Sequence, residues 1–195
     1  LAEKLRQSVA KHNQKTSVRL EKTHLLLYTH GLPSGGAERQ WCYLAVELAR
    51  RGYAVTLLTD SLNGDSGHYL PLLRGSEVRV LAMDTLLIPE DVAVRIPPLN
   101  VPLCIYRCMA AFVLLRPSHV LCQLDGGNIF GGAAALFLEK GPKNLLFSFR
   151  NVNPSHFPHY YQPWMLTLYA VLVESRDIIL SGNSRYGNDN YADWL

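Results

Sequence analysis

Short apolar runs alternate with stretches of helical period along almost the whole chain. The first run, residues 25–28, predicts a strand. It ends near His30 in the loop Gly31-Leu-Pro-Ser-Gly-Gly36, which opens into Trp41, Leu44, Ala45 and Leu48 at helical spacing. That spacing predicts a helix over residues 37–51, stopped by Gly52 as helices commonly are. Residues 54–59 read as a second strand, apolar enough to be buried on both faces. A polar turn at 60–67 and a short helix at 69–74 precede a third strand, 77–81, whose partial alternation suits a sheet edge. Residues 84–98 contain three prolines and read as a surface loop.

The second half repeats the alternation. A strongly apolar helix over 101–115 is ended by Pro117, and a fourth strand spans 118–124. Asp125-Gly-Gly-Asn128 reads as a second glycine turn leading to an alanine-rich helix, 129–139. A fifth strand at 144–149, a loop at 150–158, a helix at 161–175, a sixth strand at 178–180 and a last helix from 186 to 195 complete the series. Residues 1–20 read as a polar, lysine-rich helix with a thin apolar stripe, Leu1, Leu5 and Val9. The expected division is therefore a helical appendage, 1–22, and one domain, 23–195.

Strands and helices in this order mean right-handed βαβ units, hence an α/β fold: a Rossmann-like parallel sheet with helices on both faces. Ligands of such sheets sit at the carboxyl ends of the strands, near the switch in strand order. The segments that fall there are 30–36, Asp60, 125–128, 150–153 and 182–184, and they hold most of the glycines and unpaired polar residues. The first loop is the main candidate. A helix start supplies free N–H groups and the positive end of a dipole, which suit a phosphate.

Composition narrows the classes. The 195 residues are nearly half apolar, so a real core and an ordered domain follow. A net charge of +3 is too mild for a nucleic-acid binder. Much of that excess (Lys4, Arg6, Lys11, Lys15, Arg19, Lys22) reads as the solvated face of the first helix. Cys42, Cys104, Cys108 and Cys122 lack a zinc spacing and sit among apolar neighbours, which points to free thiols in a reducing compartment, the cytoplasm, and to no metal. The apolar windows 101–115 and 163–173 are too short to span a bilayer. Peripheral contact with the cytoplasmic membrane face stays open beside simple burial. Both ends of the chain read as cuts through something longer.

Known phosphate loops fit poorly. A P-loop needs Lys-Ser/Thr where this chain has Ala37-Glu38, and the dinucleotide loop G-x-G-x-x-G is not matched by Gly31-x-x-x-Gly35-Gly36. Asp60, at the end of the second strand, stands where an acid would grip a cofactor ribose, so a nucleotide-cofactor enzyme such as a sugar-nucleotide dehydrogenase or epimerase is an alternative. A non-catalytic binding module is another.

The wording of the loop is more specific than its glycines. Gly35-Gly-Ala-Glu-Arg-Gln40, then Leu44-Ala45, Leu48-Ala49 and Arg51-Gly-Tyr-Ala-Val55, resembles the opening of retaining glycosyltransferases of family 4. Phe147-Ser-Phe-Arg-Asn151 resembles their S-x-R-N loop, and Gly182-Asn-Ser184 their N-S element before a helix. The resemblance covers residues 24 to 195 and implies the N-terminal, acceptor-side half of a GT-B fold, with a C-terminal donor domain absent from this chain. It implies transfer of a sugar from a nucleotide-sugar to a glycan or lipid-linked acceptor, as in polysaccharide biosynthesis, without cofactor or metal.

In that reading Gly35, Gly36 and Ala37 hold the donor phosphates through backbone N–H groups, and His30, Arg150 and Asn151 meet the acceptor or an anion. Glu38 is a helix-end charge. Relatives carry a histidine at the end of the fourth strand; this chain has Cys122-Gln-Leu-Asp125 there, so that contact falls to Asp125 or Asn128, with capping of the next helix as the other reading of Asp125. The paired glutamates that grip the donor ribose in relatives are not found. The fragment alone is expected to be inactive.

Overall fold

A computed structural model describes residues 22–93, 95–96, 102–142 and 144–195. The expected helix over 1–20 lies outside the described residues. Six strands form one sheet: β1 (His24–Thr29), β2 (Ala54–Thr59), β3 (Arg79–Ala82), β4 (His119–Gln123), β5 (Asn144–Phe149) and β6 (Ile178–Gly182). Every pairing is parallel and the order is β3-β2-β1-β4-β5-β6. The sheet is thus Rossmann-like, with its switch in strand order between β1 and β4. The third strand is an edge, as its alternation indicates.

Helix α1 (Gly36–Arg50) buries Trp41, Cys42, Ala45 and Ala49, a stripe of helical period, against one face of β1 and β2. It ends at Arg51, and Gly52 (φ +93°) turns the chain where an L-residue would be strained. The loop expected at 84–98 holds a single turn of helix, α2 (Glu90–Ala93). Helices α3 (Leu103–Leu115), α4 (Leu124–Phe137) and α5 (Trp164–Ser175) cover the other face, where Tyr28, Val120, Cys122, Leu145 and Phe147 lie at the centre of the larger core. The last helix, α6 (Arg185–Trp194), is capped by the Ser184 hydroxyl, which accepts from the Gly187 N–H at 3.0 Å.

One boundary differs in kind. The expected glycine turn at 125–128 is already helix, because α4 begins at Leu124 with no loop after β4. The glycines there serve close packing. A Cβ on Gly126 would run into the His30 ring, one on Gly131 would stand 2.5 Å from Cys122 Sγ, and one on Gly132 would stand 2.7 Å from the Phe147 ring and 2.8 Å from Leu172. Small residues on this helix face bring its axis down onto the sheet. The junction has its own strain: Leu124 adopts φ +60°, a left-handed backbone that costs a bulky L-residue about 1–2 kcal/mol.

Among the described residues no helix is long and apolar enough to cross a membrane. Cys42, Cys108 and Cys122 are buried free thiols and Cys104 is half-buried.

Candidate functional site

At the carboxyl end of the sheet an open hollow of about 480 Å³ is lined by Gly36, Ala37, Glu38 and Gln40 of α1, by Leu124, and by Arg150, Asn151 and Asn183. The start of α1 sets its character. Gly35 is the N-cap in extended conformation and no side chain caps the helix, so the first-turn N–H groups are left to the hollow. Glu38 folds back so that its carboxylate lies against Gly35 and answers the helix dipole from inside the protein.

Arg150 supplies the opposing charge. Its Nη1 donates to Gln40 Oε1 at 3.0 Å, its guanidinium lies 5.8 Å from the Trp41 ring centre, and its backbone carbonyl accepts from Asn183 Nδ2 at 3.3 Å. The side chain is half-buried and makes no ion pair with any carboxylate among the described residues. Its Nε is buried with no hydrogen-bond partner, and burial pulls the guanidinium pKa below its ordinary value. A half-buried cation with a buried, unused donor gains from an anion that completes it. Planar guanidinium and helix N-terminus together suit phosphate oxygens.

Of the residues proposed from the sequence, Gly36, Ala37, Arg150 and Asn151 come together here, and Gly35 caps the helix beside them. Gln40, Trp41 and Leu124 were missed as site residues, while Asn183 lies in the segment 182–184 expected at this end of the sheet. Gln40 belongs to the quoted Gly-Gly-Ala-Glu-Arg-Gln wording and lies four residues after Gly36, one helical turn from the loop, which was the available signal. Nothing in the sequence marked Leu124.

His30 lies at the end of β1 outside the hollow lining. Its Nδ1 is hydrogen-bonded to Asp60 Oδ2, while Tyr28 donates to Asp60 Oδ1 at 2.7 Å. Each oxygen of Asp60 thus has one partner within the protein, while the side chain stays about 32% exposed at the end of β2. The imidazole packs edge-on against Phe130 and over Gly126, where any side chain would run into its Nε2.

The structure turns Asp125 and Asn128 inward. Asp125 Oδ1 accepts from Tyr169 at 2.9 Å and from Tyr191 at 2.7 Å, and Asn128 Nδ2 donates to the Tyr169 hydroxyl at 3.3 Å. Asp125 is 7% exposed and Asn128 is fully buried. Burial pushes the Asp125 carboxyl up, opposed by the Tyr191 and Tyr169 hydrogen bonds. Neither residue lines the hollow, and Gln123 rather than Asp125 occupies the N-cap of α4. The two form the polar centre of an aromatic cluster that ties α4, α5 and α6 together, in which the Tyr191 ring stacks on Phe149 at 3.7 Å.

His156, Asn190 and the buried Asn153 form a separate network that anchors the loop after β5 to α6. Among the described residues no three His, Cys, Asp or Glu side chains gather in a way that would hold a metal ion.

Fold and hollow together define a Rossmann-like α/β domain with an anion-suited cleft at its switch point. No family model matches the chain, and no curated protein matches it. Among solved structures it is similar to 1-deoxy-D-xylulose 5-phosphate reductoisomerase from Zymomonas mobilis in complex with NADPH, at 11% identity and a TM-score of 0.37. That similarity covers 86% of this chain and 40% of that one, so the chain spans well under half the length of the enzyme.

Proposed function

We propose that this chain is the acceptor-side domain of a GT-B glycosyltransferase, which moves a sugar from a nucleotide donor to a glycan or lipid-linked acceptor with retention of configuration. The observation that carries the reading is Arg150. It is a half-buried guanidinium with an unused Nε, stacked by Trp41 and held by Gln40, at the uncapped start of α1. In this role Arg150 and the N–H groups of Gly36 and Ala37 meet the donor diphosphate. They stabilise the charge that grows on it as the bond from sugar carbon to phosphate oxygen breaks. A second, donor-binding domain supplies the nucleotide grip. The resemblance of the glycine loop, the Arg150-Asn151 loop and the Asn183-Ser184 element to family 4 supports the same assignment, and Gly36, Arg150, Asn151 and Asn183 of these elements line the hollow. The cytoplasm, with contact at the membrane face, is the compartment this activity and the free thiols fit.

Calorimetric titration of the chain with UDP and with inorganic pyrophosphate tests the reading. Half a donor site should bind with Kd of roughly 0.1–1 mM, and Arg150→Ala should weaken binding at least tenfold, about 1.4 kcal/mol. Binding that ignores Arg150→Ala would remove the basis of the proposal. Tight NAD binding abolished by Asp60→Ala would favour the cofactor-enzyme alternative.

A further inference from the structure

A cavity of about 690 Å³, larger than the hollow at Arg150, lies at the opposite end of the sheet. It opens between the last turns of α3 and α4 and the segment after α2, where Pro117 leads into β4 and Pro142 into β5. The six residues of β5 separate the two by about 20 Å. Its volume falls in the range of small-molecule sites.

The lining divides into two kinds. Phe112, Pro117, Leu138 and Pro142 are buried in its walls beside the half-buried Val113, while Arg95, Arg116, Lys140 and Glu139 are exposed. Three cations thus meet one carboxylate. Arg95 donates from Nε to the Asp91 carbonyl at 3.0 Å and lies 3.8 Å from the Asp91 carboxylate. Arg116 and Lys140 make no ion pair among the described residues. The usual task of a cation at a helix end, binding the last carbonyls, is already filled by others. The Arg116 backbone N–H donates to the Phe112 carbonyl at 2.9 Å and closes α3, and Arg176 Nη2 donates to the Ala135 carbonyl of α4 at 2.6 Å. The side chains of Arg116 and Lys140 are therefore surplus to the fold.

We propose that this cavity binds one single-chain amphiphilic anion, its head on Arg116 and Lys140 and its chain on Phe112, Val113 and Leu138. Charge complementarity selects that class. Apolar walls gain from a buried chain, and cations without a partner gain from an anionic head. A wholly polar anion would leave the walls unused, and a neutral chain would leave the two cations unpaired. A cavity framed by two helix ends and a loop suits a single molecule rather than a membrane surface. The site shares no residue with the Arg150 hollow and stands apart from the glycosyltransferase reading.

Calorimetric titration of the full chain with octanoate and decanoate, below their micelle-forming concentrations, tests the assignment. One molecule should bind per chain. Decanoate should bind at least tenfold more tightly than octanoate, because each buried methylene contributes about fourfold. Neutral decanol should bind at least tenfold more weakly than decanoate. Arg116→Gln combined with Lys140→Gln, both at exposed positions, should weaken decanoate binding at least tenfold and flatten its salt dependence. Arg185→Gln, which removes an exposed cation of α6 outside the cavity, should leave it unchanged. Equal affinity for octanoate and decanoate would mean an anion held without a buried chain. Decanoate binding that ignores the paired variant would place the head elsewhere. Binding to phosphatidylglycerol vesicles with none of free decanoate would make the cations a surface contact. Each of these three results overturns the proposal.

Discussion

Two strand–helix junctions meet at the switch point and use glycine in opposite ways. Between β1 and α1 a loop intervenes, a Cβ on Gly36 would meet nothing within 4 Å, and the first-turn N–H groups open to the hollow. Between β4 and α4 there is no loop: Gly126, in the first turn, lies against the His30 ring, and Gly132, about two turns further on, sits hard against Phe147 and Leu172. The polar residues follow suit: Arg150 faces the first junction with a donor to spare, while Asp125 and Asn128 at the second are taken up by tyrosines. Open glycine gives access to backbone donors. Packed glycine gives approach between elements. Only the first kind marks a site.

The contrast breaks most visibly at Gly132. Gly132→Val drives a branched side chain into Phe147 and Leu172 and should destabilise the fold by about 3 kcal/mol, read as a lower denaturation midpoint in urea. A loss under about 0.5 kcal/mol would mean that α4 stands further from the sheet than the glycine contacts require.

Asp125 comes next. Asp125→Ala leaves the Tyr169 and Tyr191 hydroxyls without their acceptor and should cost about 2 kcal/mol. The pH dependence has a definite sign. A carboxyl whose folded pKa is raised by burial stabilises the fold most below its unfolded value, about 3.9, and loses that contribution as pH rises through the raised folded value. Comparison of the wild type with Asp125→Asn should therefore favour the wild type most near pH 4 and shift toward the variant by pH 7. Parallel curves across that range would place the carboxylate in contact with water.

How much of this was legible in the sequence follows from the same comparison. Periodicity found every strand and long helix among the described residues, because burial on one face writes itself at intervals of two or 3.6 residues. It misread Asp125-Gly-Gly-Asn128. Asp, Gly and Asn favour turns and close packing alike, and only the positions of His30, Tyr169 and Tyr191, distant in sequence, decide between them. The tyrosines that claim Asp125 lie 44 and 66 residues away, beyond any local pattern. Arg150 could be proposed from its loop, whereas its seat on Trp41 and Gln40 required the sheet order that brings β5 toward α1.

The smallest effect in stability sharpens the comparison most. Glu38 leans on Gly35 and supplies the negative charge that the start of α1 attracts, so an incoming anion must displace or share it. Glu38→Gln keeps the shape and removes that competitor. It should change stability by no more than about 0.5 kcal/mol, the size of an exposed charge–dipole interaction. The same variant should tighten pyrophosphate binding two- to fivefold, and the gain should shrink as salt is raised, because the competing charge is partly exposed. Gly36→Ala, with open space for its methyl, serves as the companion control and should leave stability within about 0.5 kcal/mol. Were Glu38→Gln to weaken pyrophosphate binding instead, the carboxylate would be a helper at the helix start, and the anion would have to sit nearer Arg150 and Asn151 than to the N–H groups of α1.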